Sequence, residues 1–434
     1  MKRRTLLLTS LLLLGGCARK NIAELRAERQ AEAQGPILVA VAWPLKLGKA
    51  SLAQGVDLAV EEINAKGGIG GRKLKILFKD DASSLSRGRL VAQEIADNPD
   101  VAAVIGHLNS YITAPAAKIY ERAGLVMVTP GASGQKITEQ GGRMVFRSLP
   151  GNREQGRQIG DYAAAQGYKS VAIYYIKNDY GIDLANYFEQ RAHELGIAIA
   201  DRRSYNMGGD NHAALLAEWA AFLKTDAVFL CGSLPESAQI LREARAAGLK
   251  VPVFGAAGLD SPDLIRLGGD SVEGTVVFSL FNVGDPRPEV RAFGERFHAR
   301  FGILPDSTAA QGYDAVRLVA HAMKQAGSTA GPGRRGPARD PRLAGRDRPH
   351  QLQRQRRPGR QAHGQGRGQE RRLRVFRHQP GGARAQDRAG APRAGRRRTG
   401  PGAVGRGCRS RAALSLRETG AAAPRCGTRP RAGC

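Results

Sequence analysis

Gly106-His107-Leu108-Asn109-Ser110 is followed by a helix-like run over 111–122 and then by Gly124-Leu125-Val126-Met127-Val128-Thr129-Pro130-Gly131-Ala132-Ser133. Two serines thus follow two apolar strands one helix apart. Each strand, 101–105 and 125–128, is a short β-rich run of the kind buried in a parallel sheet. Each ends in a polar loop at its carboxyl edge, where open α/β sheets bind their ligands. Ser110 falls at the start of the next helix, whose unpaired amides and positive dipole end favour a small anion. The same position also suits a plain helix N-cap.

Outward from this stretch, strand-like and helix-like runs alternate between residues 36 and 327, which predicts an α/β fold. Strands are expected over 37–43, 74–79, 101–105, 125–128, 171–176, 198–204, 227–231, 251–254 and 275–280, with helices between and after them. About 290 residues form two cores more readily than one. Pro150 and Gly151 mark one seam, and Gly284, Pro286 and Pro288 mark a second crossing. The expected lobes are 36–150 with 282–327, and 151–281, each a doubly wound parallel sheet, joined by a multi-strand hinge around a cleft.

The amino terminus carries an address. Lys2-Arg3-Arg4, an apolar run over 6–14, and Leu14-Gly15-Gly16-Cys17 read as a secretory signal over 1–16 with a lipid-accepting Cys17. Residues 17–35, poor in bulky apolar side chains, read as a tether. The formal charge of +28 would suggest a nucleic-acid binder if it were spread along the chain. It is not: residues 328–434 hold 28 Arg, no Lys and 5 acidic residues, a net of +23, which leaves +5 for residues 1–327. That tail also lacks Ile, Asn, Met and Tyr, residues of A/T-rich codons, and it lacks Trp. Re-reading the codons of residues 343–361 from their second base allows Trp-Pro-Gly-Val-Thr-Gly-Arg-Ile-Asn-Phe-Asn-Ala-Asn-Gly-Asp-Pro-Val-Gly-Lys. A frame-shifted, disordered tail is therefore expected, with a true basic arm for phosphates or anionic lipid as the rival.

Other apparent motifs carry no chemistry. Gly67-Gly68-Ile69-Gly70-Gly71 follows a helix and precedes a strand, the reverse of a phosphate loop, and reads as a turn. His107, His193, His212 and His298 lack metal-ligand spacing, so neither a metal nor a cofactor is expected. Residues 36–327 hold no Gly-x-Ser-x-Gly elbow and no evident acid–base pair, which argues against an enzyme.

The motif order resembles the periplasmic leucine/isoleucine/valine-binding proteins, type I solute receptors of ABC importers. The resemblance is carried by 55–69 (Gly-Val-Asp-Leu-Ala-Val-Glu-Glu-Ile-Asn-Ala-Lys-Gly-Gly-Ile), Phe78-Lys79-Asp80-Asp81, the two serine loops, Asn178-Asp179-Tyr180-Gly181 and Gln311-Gly312-Tyr313-Asp314-Ala315. It implies a monomeric, lipid-anchored receptor on the periplasmic face of a bacterial membrane that delivers a small carboxylate to a permease. Ser110, Ala132 and Ser133 would hold the ligand carboxylate, and Tyr180 would cover it. The family disulfide positions match Ala82 and Asn109, so that bridge should be missing, and Cys231 reads as a buried strand residue.

Two departures bear on the ligand. The resemblance places an acidic partner for the ligand ammonium where this chain has Ala257, and an unpaired buried ammonium costs several kcal/mol. Either Asp260 or Asp179 takes over, or the ligand lacks the amino group. An aromatic expected before Pro235-Glu236 is replaced by Ser233-Leu234. Trp43-Pro44 at the first strand end reads as a stacking wall for a flat ligand or as a packed lip residue. Branched-chain or other apolar amino acids come first, aromatic or keto acids next, and a signalling receptor on the same fold is the alternative to an importer.

Overall fold

The computed structural model describes residues 20–45, 51–140, 142–209 and 211–329. The expected signal segment, Cys17 and the chain beyond residue 329 lie outside these. The strands are β1 (Ile37–Trp43), β2 (Leu74–Asp80), β3 (Val101–Gly106), β4 (Val126–Thr129), β5 (Val145–Arg147), β6 (Ser170–Ile176), β7 (Ala198–Tyr205), β8 (Ala227–Cys231), β9 (Val253–Gly255) and β10 (Val276–Val277). The helices are α1 (Ile22–Glu32), α2 (Ser51–Ala65), α3 (Leu85–Ala96), α4 (Ser110–Arg122), α5 (Lys136–Glu139), α6 (Asn152–Ala165), α7 (Asp179–Glu194), α8 (Ala213–Phe222), α9 (Glu236–Ala246), α10 (Asp263–Gly268), α11 (Pro288–Phe301) and α12 (Ser307–Ala326).

Two parallel five-stranded sheets result, ordered β2-β1-β3-β4-β5 and β10-β9-β8-β6-β7. Counted within each lobe, both have the same doubly wound order, with strand direction of growth reversing between β1 and β3 in one and between β6 and β8 in the other. The central strands β3 and β8 are buried along their whole length because helices cover both faces, which is why they read as unbroken apolar runs. The edge strands β2 and β7 are partly exposed and carry Lys, Asp and Arg. Each lobe has two apolar clusters, one on each face of its sheet.

In the first lobe α12 lies against α2 with backbones nearly touching. A Cβ on Gly55 would stand 1.9 Å from the Ala309 carbonyl oxygen, and one on Gly312 would stand 2.5 Å from that of Leu52. The Gly67–Gly71 stretch is indeed a tight turn, with an Ile69–Arg72 bridge and all four glycines at positive φ.

Three features differ from the sequence reading. Residues 22–32, read as part of a tether, form α1. Asn21 caps it in a reciprocal box with Glu24, and Arg26 plants a buried guanidinium among the carbonyls of Ala96 (2.6 Å), Asn98 (2.9 Å), Val101 (3.2 Å) and Ala123. A composition-based reading misses this because the helix docks through polar side chains, Arg26 and Gln30, and not through an apolar stripe. The short edge strand β5 was not expected. β10 covers two residues instead of six, because the chain leaves the sheet after Phe278, whose N–H still donates to the Gly255 carbonyl at 3.0 Å.

Candidate functional site

The loops at the two reversal points face one another across a cavity of about 460 Å³. Open α/β sheets bind at such points because neighbouring loops diverge there and leave a crevice at the strand ends. From the first lobe the cavity is lined by Ser83, Leu108, Asn109, Ser110, Tyr111 and Ser133, and from the second by Tyr180, Ser233, Glu236, Ala257 and Asp260. Thr308 and Gln311 reach it from the start of α12.

The first-lobe wall is built of hydroxyls and amides. Asn109, not Ser110, occupies the N-cap of α4, and its side chain makes no capping bond. Its amide donates instead to the Tyr111 hydroxyl at 3.1 Å and its Oδ1 accepts from Ser83 Oγ at 3.2 Å. The first-turn amides of α4 are thereby left without a side-chain cap, as an anion site requires. Ser110 Oγ accepts the Gly134 N–H at 3.0 Å, which brings the two serine loops together and leaves the hydroxyl proton free to donate. The Ser133 carbonyl accepts the Asn152 N–H at 2.9 Å, so the second loop is tied to the start of α6 as well.

The second-lobe wall is acidic. Glu236, 7% exposed, accepts the Gly208 N–H at 2.8 Å. Asp260 accepts the Leu280 N–H at 3.3 Å, and Arg266, the cation on this wall, is bonded to Asp263 at 2.8 Å. Tyr180 lies on the first turn of α7, and its hydroxyl accepts the Gly258 N–H at 3.2 Å. Burial pushes this phenol well above its ordinary value, so it stays a neutral hydroxyl. A hydroxyl-and-amide wall opposite carboxylates suits a zwitterion, with carboxylate and ammonium at opposite ends.

The structure brings Ser110, Ser133, Tyr180 and Asp260 to one cavity and sets three expected residues, Trp43, Ala132 and Asp179, off its wall. Trp43 is fully buried in the core, its ring edge packed behind Gly131, where a Cβ would stand 2.5 Å from Trp43 Cη2. It is the packed residue of the two readings, and its ring offers no stacking face. Ala132 is also fully buried, with its N–H donated to Thr129 Oγ1 at 3.0 Å. Asp179, the other proposed ammonium partner, is exposed and off the cavity wall. The sequence reading assigned no role to Glu236, Tyr111, Thr308 or Gln311; the Pro235-Glu236 and Gln311-Gly312-Tyr313 motifs marked two of them without saying which side chain faces the ligand. Ala82 and Asn109, the disulfide positions of the resemblance, flank the Ser83–Asn109 hydrogen bond, which links the same two loops. Cys231 is buried, and burial pushes its thiol up.

Comparison with known proteins agrees with this architecture. The model of the periplasmic binding protein family matches residues 44–335. The Leu/Ile/Val-binding protein homolog 1 of Brucella abortus is 31% identical over 297 residues, 67% of this chain and 77% of that protein. The leucine-, isoleucine-, valine-, threonine- and alanine-binding protein of Pseudomonas aeruginosa is 29% identical over 274 residues, 63% of this chain and 73% of that one. Among solved structures, an ABC transporter substrate-binding protein from Desulfitobacterium hafniense in complex with Leu shares 39% identity at a TM-score of 0.59, covering 67% of this chain and 84% of that one. A leucine-binding protein from Thermotoga maritima shares 28% at 0.64, over 68% and 84%. With the family model spanning well over half of the sequence and the twin five-stranded lobes as its frame, the chain belongs to the periplasmic binding protein family, type I.

Proposed function

We propose that the protein is the extracytoplasmic solute receptor of an ABC importer, and that it closes on a branched-chain or other apolar amino acid and hands it unchanged to a membrane permease. Ser110 and Ser133, with the uncapped first turn of α4, receive the carboxylate. Asp260 receives the ammonium in place of the missing acid at Ala257, and Tyr180 covers the ligand. The observation that carries the reading is the facing of these two walls across one cavity. The relatives named for leucine, isoleucine and valine support an amino acid over an aromatic or keto acid. A lipid on Cys17 would hold the receptor at the membrane.

Calorimetry with L-leucine tests the assignment. Ser110→Ala and Ser133→Ala should each weaken binding by about 1–3 kcal/mol, the worth of a charge-assisted bond. Isocaproate, which lacks the amino group, should bind much more weakly than leucine. Isocaproate binding as tightly as leucine would remove Asp260 from the site, and unchanged affinity in both serine variants would remove the carboxylate assignment.

A further inference from the structure

Behind the hydroxyl wall lies a fully buried polar chain that does not line the cavity. His107 and Asp81 are both 0% exposed and their side chains meet at 2.7 Å, His107 Nδ1 to Asp81 Oδ2. A carboxylate only accepts, so His107 Nδ1 donates to Asp81, and His107 Nε2 shares a hydrogen bond with the Tyr120 hydroxyl at 3.0 Å. Asp81 Oδ1 accepts the Ser83 N–H at 3.0 Å, and the Asp81 N–H donates to the Trp43 carbonyl at 3.3 Å. The His107 carbonyl accepts from Thr129 Oγ1 at 2.9 Å, and the same Oγ1 accepts the Ala132 N–H at 3.0 Å. The ends of β1, β2, β3 and β4 are thus joined through one set of hydrogen bonds, in a core where apolar packing would avoid the desolvation of a carboxylate and an imidazole.

Such a fully satisfied network fixes one geometry, and a ligand held by several hydrogen bonds loses affinity when its donors are displaced by a fraction of an ångström. We propose that Asp81, His107 and Thr129 are positioning residues that lock loops 107–110 and 129–134 into one rigid unit and so set the separation of Ser110 and Ser133. The inference rests on the carboxylate reading of those serines. It goes beyond that reading by placing control of the site in side chains that never meet the ligand. Thr129 is the cross-tie. Its hydroxyl both donates to one loop and accepts from the other, whereas the isosteric valine fills the same space and does neither.

The test uses the full chain, with amide hydrogen exchange on the ligand-free protein and L-leucine calorimetry as separate readouts. Thr129→Val is expected to speed exchange in both serine loops and to weaken leucine about tenfold, the scale of one lost hydrogen bond. Its melting temperature should also fall by several degrees, because the His107 carbonyl and the Ala132 N–H lose a buried partner, so affinity and loop exchange are the deciding readouts. His107→Phe should weaken leucine further, and His107→Asn, whose amide can still donate to Asp81, should recover part of the loss. Should His107→Phe fail to fold, Thr129→Val decides alone. A purely structural role would lower the melting temperature and leave affinity and loop exchange at 25 °C as in the parent, and that result overturns the proposal. Should the parent itself not bind leucine, the ligand reading fails, and the exchange rates of the ligand-free loops decide whether the lock exists.

Discussion

Replacing Arg26 with methionine keeps the aliphatic stem and removes the four bonds that hold α1 to the first lobe. Ala96 ends α3 and Ala123 caps the end of α4, so the guanidinium serves two helix carboxyl termini at once, where a cation is favoured. Four charge-assisted bonds at about 1.5 kcal/mol each give roughly 6 kcal/mol. Burial of the guanidinium opposes this and pushes it down to about 10, still charged at neutral pH. Removing the buried charge returns roughly 3 kcal/mol of desolvation, which leaves a net loss of about 3 kcal/mol. For a lobe of this size that lowers the melting temperature by about 6–12 °C. Arg26→Lys should fall between the two, since one ammonium cannot reach four divergent acceptors. Scanning calorimetry reads the shift, and limited proteolysis reads the release of residues 22–32. If Arg26→Met melts within about 1 °C of the parent with α1 still protected, the carbonyls have found other partners and the helix is not held by this side chain.

Gly55→Ala and Gly312→Ala should each destabilise the first lobe by about 2–4 kcal/mol in denaturant titrations, because the added methyl meets backbone across the α2–α12 crossing. Asp306→Ala should cost about 1–2 kcal/mol, since this carboxylate both caps α12 through the Ala309 N–H at 2.8 Å and accepts Ser51 Oγ at 2.9 Å. Asp183 on α7 accepts the Gln135 N–H of the first lobe at 2.9 Å and the Asn152 amide of its own lobe at 3.0 Å; Asp183→Ala removes the bond between lobes and should raise the leucine off-rate about tenfold in stopped-flow measurements. Burial lifts Tyr111 and Tyr174 to about 12 and lifts Tyr120, Tyr180, Tyr205, Tyr162 and Tyr313 as well; with the first five held well above the ordinary range, phenolate absorbance near pH 11 should account for no more than five of the ten tyrosines while the fold holds. Unfolded tyrosines ionise near 10 and these hold their protons beyond it, so the unfolded chain binds fewer protons and stability falls as pH rises through 10.

The alternation of the fold was legible because parallel strands covered on both faces leave unbroken apolar runs, as β3 and β8 do. β5 was not, since three residues carry no period, and α1 was not, since its docking side chains are polar. The two serines could be placed because each ends a readable strand. Trp43 could not, because a tryptophan at a strand end reads the same whether it lines a crevice or backs it. Glu236 and the His107 network escaped for a related reason: their partners are backbone groups and side chains far along the chain, such as Gly208 and Asp81, whose proximity only the folded sheet order creates.

The docked first helix bears on where a lipid on Cys17 would sit relative to the cavity. Arg26 grips carbonyls at the amino ends of β3 and β4, whereas the cavity opens at their carboxyl ends, about 20 Å away along the six residues of β3. If Cys17 carries the lipid, only Ala18, Arg19 and Lys20 stand between it and the cap Asn21, a reach of about 10 Å. The bilayer would then lie nearer the base of the first lobe than the ligand mouth. A receptor seated in the outer membrane would face its cargo inward across the periplasm toward an inner-membrane permease.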